Sequence, residues 1–267
     1  MARAGDAMTG APQPALFLGH GSPMLAIEPS RYGDAWQQLG RSLPRPRAIV
    51  AVSAHWYIRG TAVTAQAQPR TIHDFYGFPP ALYAVRYPAP GDPQLARRVA
   101  QLLAPTPVQL DEDWGLDHGT WSVARHLYPT ADIPIVQLSI DATLSPAQHY
   151  ALAQGLSDLR DEGVLVLGSG NVVHNLRMLQ FDAAAPAPPW AQSFNTAVRL
   201  GVQERRHADL ASYGALDAGA AMSVPTAEHY LPLLYVLALQ RDGESASVPV
   251  DGIELGAISM MSVQVGG

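Results

Sequence analysis

The sequence predicts an α/β protein: one domain, a sandwich with a central mixed β-sheet flanked by helices. Three observations predict it. Short apolar runs with β-branched character recur along the chain and alternate with segments of helical pattern, which is how a sheet covered by helices is built. Apolar residues make up 48% of the 267 and charged residues 15%, enough for a large core and too little charge for a disordered chain. No internal repeat or compositional break divides the chain, and about 250 residues in one α/β unit is ordinary.

Residues 1–14, rich in Ala, Gly and Pro, read as a flexible tail, leaving 15–267 as a single domain. Residues 15–18 form a buried strand ending at Gly19-His20-Gly21-Ser22-Pro23. A short helix over 32–40 precedes a second strand, 47–53, which ends at Ala54-His55-Trp56. Residues 68–90, dense in Pro and aromatics, read as a long ordered loop, and loops of that length are usually functional. Asp92 and Pro93 start a helix to 103. Residues 111–120 are polar and turn-like, and 121–127 helical. A strand over 133–140 leads to a helix opened by Ser145-Pro146 and running to about 160. The strand 163–167 meets Gly168-Ser169-Gly170-Asn171. A Pro/Ala loop over 183–189, a helix over 190–206, a helix beginning near Pro232 and strands within 253–265 complete the chain.

Composition removes several function classes. The formal charge is -6 and no basic run exists, so nucleic acid is a poor partner. No apolar run approaches the ~18 residues a membrane span needs, and the first residues lack a signal-peptide core. The absence of cysteine rules out disulfides, thiolate metal sites and cysteine nucleophiles, and fits a reducing cytoplasm. Any metal must be held by His, Asp or Glu.

Nine histidines are present, and their placement is informative. His20, His55 and His174 each follow an apolar strand, and ligands of open α/β sheets bind at the carboxyl ends of strands. His229 precedes an apolar helix and can close the set, and His118 sits in the turn Asp117-His118-Gly119. Neutral imidazoles suit zinc, iron or copper, and three ligands leave room for water, oxygen or substrate. A single His at a strand end is more often a packing residue, so spacing alone makes only part of the case. His126, His149 and His207 read as surface helix residues and His73 as a loop residue near substrate. Gly168-Ser169-Gly170 lacks the full spacing of a dinucleotide turn, and no serine-hydrolase elbow occurs.

Six segments carry a resemblance: LGHGSPM (18–24), SAHW (53–56), DFYGFPPALYAVRYPAPG (74–91), LDHGTW (116–121), GSGNVVHNL (168–176) and PTAEHYLPLLY (225–235). Together, and in this order, they resemble the DOPA-type extradiol ring-cleavage dioxygenases of class III, the LigB-like superfamily. The resemblance implies the LigB-like fold and one mononuclear metal ion, Fe(II) for activity or Zn(II) as bound. It implies His20, His55 and His229 as ligands and His174 as acid–base residue, or as a fourth ligand when zinc is bound. His118 is then a hydrogen-bond donor to oxygen or substrate. Ser22, Trp56, Phe75, Tyr76 and Tyr83 are expected around the substrate. The implied reaction opens the ring of a small aromatic diol with O2, with no nucleic acid or membrane partner; the oligomeric state is left open. A zinc hydrolase using the same imidazoles, or a non-catalytic metal-binding relative, are the rival readings.

Overall fold

Strand residues with both faces covered must be apolar throughout, each face feeding a different core. The first strand, β1 (Ala15–Gly19), does this: Ala15 and Phe17 enter one core cluster, Leu16 and Leu18 the other. The same alternation sends Val50 and Val52 one way and Ile49 and Ala51 the other along β2 (Ala48–Ile58). In this computed structural model, residues 11–182 and 186–267 are described. The further strands are β3 (Thr61–Thr64), β4 (Val108–Asp111), β5 (Ile135–Asp141), β6 (Val164–Gly170), β7 (Ala246–Val250), β8 (Ile253–Glu254), β9 (Ile258–Ser259) and β10 (Ser262–Val265).

Among the described residues, eight strands form one mixed sheet in the order β4-β3-β5-β2-β6-β1-β10-β7, with β8 and β9 as a separate hairpin. The central four, β5, β2, β6 and β1, are parallel. Their carboxyl ends therefore open on one edge. Helices Arg31–Ser42 and His118–Leu127 cover one face. Helices Pro93–Leu102, Pro146–Gln154, Pro189–Gln203 and Leu231–Leu237 cover the other. The α/β sandwich expected from the sequence is the observed fold.

Several boundaries differ from the sequence reading. Strand β2 continues past residue 53 to Ile58, with a register shift against β5 between Val52 and Tyr57, so His55 lies within an irregular strand rather than after one. Gly168 to Gly170 belong to β6 and are not a turn. Strands β3, β4 and β7 are short and only partly apolar, too weak a pattern to read. The helix opened by Ser145 ends at Gln154, and a separate turn, Asp158–Asp161, follows. Residues 1–10 of the expected tail, and 183–185 of the Pro/Ala loop, lie outside the described residues. Gln13 and Pro14 are buried, and Gln13 exchanges backbone and side-chain hydrogen bonds with Arg160.

Of three histidines expected on the surface, two are buried and one is half-buried. His149 is fully buried with Nδ1 2.9 Å from the Tyr235 hydroxyl, His207 is buried against Tyr150, and His126 faces the Leu25 carbonyl at 2.8 Å. Each found a polar partner from a distant segment, which local periodicity does not report. Among the described residues, no helix is long and apolar enough to cross a membrane.

Candidate metal centre

The middle of the sheet delivers imidazoles from three adjacent strands. His20 directly follows β1, His55 lies in β2, and His174 follows β6. His229 arrives from the segment before helix Leu231–Leu237, which packs down onto β6 because that strand is glycine-rich there. A Cβ at Gly170 would overlap the His229 carbonyl oxygen, and one at Gly168 would come 2.6 Å from the Pro232 carbonyl oxygen. The Asn171 N–H donates to the His229 carbonyl at 2.8 Å and fixes the approach.

His20, His55 and His229 each offer a nitrogen within 4.8 Å of the others. His20 Nε2 and His55 Nε2 are 3.2 Å apart. Ligands about 2.0–2.1 Å from one cation stand roughly 3 Å from each other, so this spacing fits a shared ion. The imidazoles are nearly closed off from water. Burial first, then neighbouring imidazoles, push the pKa of His20 and His229 well below its ordinary value and that of His55 down to about 3. All three are neutral lone-pair donors at pH 7. His229 is decisive for the fit: both of its ring nitrogens are buried and, among the described residues, neither has a hydrogen-bond partner. Glu228 Oε1 lies 3.6 Å from Nδ1, too far for a hydrogen bond. A buried polar atom without a partner is rare, and a cation would satisfy it.

The surroundings fix the ring orientations. Ser169 Oγ donates to the Gly119 carbonyl at 2.5 Å, so it can only accept from His20 Nδ1, 3.0 Å away. That places the His20 proton on Nδ1 and leaves the Nε2 lone pair facing His55. Asp117 caps helix His118–Leu127 through the Thr120 N–H at 3.1 Å and also accepts from the Ser53 hydroxyl at 2.7 Å and from the Gln137 amide. Burial, reinforced by the Asp74 carboxylate, pushes its pKa up to about 6. Burial alone raises the Asp74 pKa, but the imidazoles of His118 and His55 outweigh it and hold the carboxyl below its usual value.

His174 stacks flat on His229, with centroids 3.5 Å apart and planes 5° from parallel. It lies outside the group of nitrogens within mutual reach. Burial, its largest cause, lowers its pKa to about 4. His174 lines a recess of about 320 Å³ with Asn175, Arg177, Thr226 and Glu228. His118 is buried with its ring 3.9 Å from that of His55.

The residues expected around substrate are dispersed. Phe75 packs edge-on against His118 at 5.4 Å, and the Tyr83 hydroxyl donates to the Phe75 carbonyl at 3.3 Å, so this pair walls the imidazole cluster. Trp56 is buried and stacked on Trp114 at 5.5 Å, a packing role. Tyr76 is 91% exposed and contributes no wall. Ser22 caps the turn Pro23–Ala26 beside His20, its Oγ 3.3 Å from the Met24 nitrogen. Ser169, Asp117, Ser53 and Asp74 were not foreseen individually. Asp117 alone carried a signal, an N-cap residue just before a helix; the others matter only through partners far along the chain.

A sheet with a parallel centre presents clustered neutral imidazoles beside an open recess, a set that could hold one metal ion and leave room for a small ligand. Residues 14–260 match the family model described as the catalytic LigB subunit of aromatic ring-opening dioxygenase, and the chain belongs to this family, in its DOPA-type extradiol branch. It is 53% identical over 264 residues to a 4,5-DOPA dioxygenase extradiol of Escherichia coli (strain K12), covering 97% of each. It is 37% identical to the 4,5-DOPA dioxygenase extradiol of Beta vulgaris, covering 81% of this chain and 83% of the relative. The crystal structure of an uncharacterised Escherichia coli K12 protein matches with a TM-score of 0.83 and 49% identity, covering 95% of this chain and all of the other.

Proposed function

We propose that the protein is a non-haem extradiol dioxygenase that opens the ring of a catechol-type, DOPA-like substrate with O2, placing both oxygen atoms in the product. The observation that carries the reading is the cluster of three neutral imidazoles, one with both nitrogens unpaired, lying beside His174 and an open recess. His20, His55 and His229 would hold the ion. Ferrous iron bound there supplies the electron relay between ring and oxygen, which zinc, without redox chemistry, does not.

The chain's own residues do the rest. His174, unprotonated at neutral pH, accepts a proton from the incoming diol and returns it when the ring opens. His118, buried against His55, hydrogen-bonds a hydroxyl of the substrate through Nε2. Phe75 and Tyr83 exclude water on the side of His118. The expected product is a muconic semialdehyde.

The test is anaerobic reconstitution with ferrous iron, then addition of oxygen and DOPA or simpler catechols. Oxygen uptake matched by a new visible absorbance is expected. Turnover with zinc and no oxygen uptake would make the protein a hydrolase, and no uptake with any catechol would overturn the reading. His174→Ala should abolish turnover and leave most metal bound.

A further inference from the structure

The carboxylate of Asp74 stands between two of the clustered imidazoles. Its Oδ1 accepts from the backbone N–H of His118 at 2.8 Å and lies 3.0 Å from His118 Nδ1. Its Oδ2 lies 3.3 Å from His55 Nδ1. Both ring approaches are close, although neither ring is turned into a linear hydrogen bond. The side chain is only 18% exposed. The segment that carries it is pinned on both sides: the Ile72 N–H donates to the Leu116 carbonyl at 2.7 Å, the Trp121 indole donates to the Ile72 carbonyl at 2.7 Å, and His73 Nε2 meets the Val85 carbonyl at 3.0 Å. Asp74 is therefore held in place and is not a free carboxylate on a rim.

His55 turns its other nitrogen, Nε2, toward His20. An acceptor at Nδ1 keeps the proton there and the lone pair at Nε2, where a cation needs it. The ligand His20 has a neutral acceptor, Ser169, in the equivalent position. A ligand set made only of imidazoles carries no negative charge, and Asp74 brings one to its border. We propose that Asp74 is a shared positioning residue: one carboxylate fixes the Nδ1–H tautomers of the ligand His55 and of His118, leaving both Nε2 atoms free for the metal and the substrate. This rests on the reading of the cluster as a catalytic metal centre.

A competing reading makes Asp74 itself a ligand, because His55, Asp74 and His118 also lie within 4.8 Å of one another. The His118 N–H aimed at Oδ1 leaves Oδ2, the oxygen facing His55, as the one a second ion would take. A second ion would also need His55 to give up its Nδ1 proton and serve two cations at once.

The substitution Asp74→Asn separates the possibilities. The amide oxygen can still accept from the His118 backbone, while the NH2 places a donor against His55 Nδ1 and favours the proton on Nε2, the wrong side for binding. Metal affinity of the folded variant, measured by chelator competition with zinc, should fall about 10- to 100-fold. Nitrogen-15 NMR of the metal-free variant should show one imidazole moved from the Nδ1–H to the Nε2–H form. At saturating ferrous iron, kcat should fall more than KM for the catechol. A carboxylate that is merely structural would lower the melting temperature and move neither affinity nor tautomer, and that result overturns the proposal. So does a stoichiometry of two ions per wild-type chain. The wild-type spectrum is a check independent of any variant's folding: His55 or His118 found as Nε2–H refutes the assignment. Failure of the wild type to bind zinc would instead sink the metal-centre reading, while its tautomers still judge Asp74.

Discussion

His229 is the residue whose chemistry is least complete without a ligand. Two buried nitrogens with no partner cost about 1–3 kcal/mol each in a folded protein. His229→Leu should therefore abolish metal binding while leaving the metal-free protein as stable as before, or more so, in urea unfolding. His149 is buried in the helix Pro146–Gln154, with its pKa lowered to about 4 chiefly by burial. Its folded-state value is depressed, so the stability it confers is complete above the unfolded pKa near 6.5 and is lost as pH falls toward 4. The slope of that loss is at most about 1.4 kcal/mol per pH unit. His149→Phe should flatten the decline of the urea midpoint between pH 6.5 and 4 relative to wild type; an unchanged slope would show that His149 takes up its proton equally in the folded and unfolded states. Only part of this was legible in the sequence. His20, His55 and His174 announced themselves by following apolar runs, and strand ends converge by topology. His149 and His207 did not, because their partners Tyr235 and Tyr150 become visible only once helices pack.

At the scale of elements, the site depends on how closely backbone segments approach. Helix His118–Leu127 reaches β2 because residue 119 has no side chain: a Cβ there would overlap Ser53 Oγ and stand 2.8 Å from His55 Cδ2. Gly119→Ala should displace His55, lower metal affinity several-fold and cost about 1–3 kcal/mol by overpacking, read by chelator competition and by urea unfolding. The sequence showed the core strands β1, β2, β5 and β6, whose apolar runs are unambiguous, and the capped helices at Pro93 and Pro146. It hid the irregularity in β2, since a register shift depends on the neighbouring strand β5 and not on residues 53–57 themselves. It also hid β7, a short strand of half-exposed residues at the sheet edge.

For the molecule as a whole, Gln13, near the start of the described chain, and the segment 239–244 are tied through one buried cation. The Arg160 guanidinium is fully covered, donates to the Gln13 and Leu239 carbonyls at 2.5 and 2.7 Å, and makes a two-pronged ion pair with Glu244 at 2.7 Å on each side. The Arg160 hydrogen bond, working against burial, holds the Glu244 carboxyl below its usual range. Its folded-state pKa is lowered, so its contribution is present above about pH 4.5 and is lost as pH falls through the folded value. Glu244→Gln strands a buried guanidinium and should cost about 3 kcal/mol at pH 7, with the gap to wild type narrowing in acid; a gap that stays constant down to pH 3 would contradict the assignment.

The three imidazoles that meet at the sheet edge leave the ribosome at very different times. A nascent chain that has released only His20 and His55 carries two of the three nitrogens, and the glycine-lined surface of β6 awaits the segment bearing His229. If these nitrogens hold an ion, its capture waits for the last of them and is a late event in the life of the polypeptide. On the proposed reading of the cluster, a cell short of its metal would accumulate finished, empty protein rather than stalled or half-folded chains.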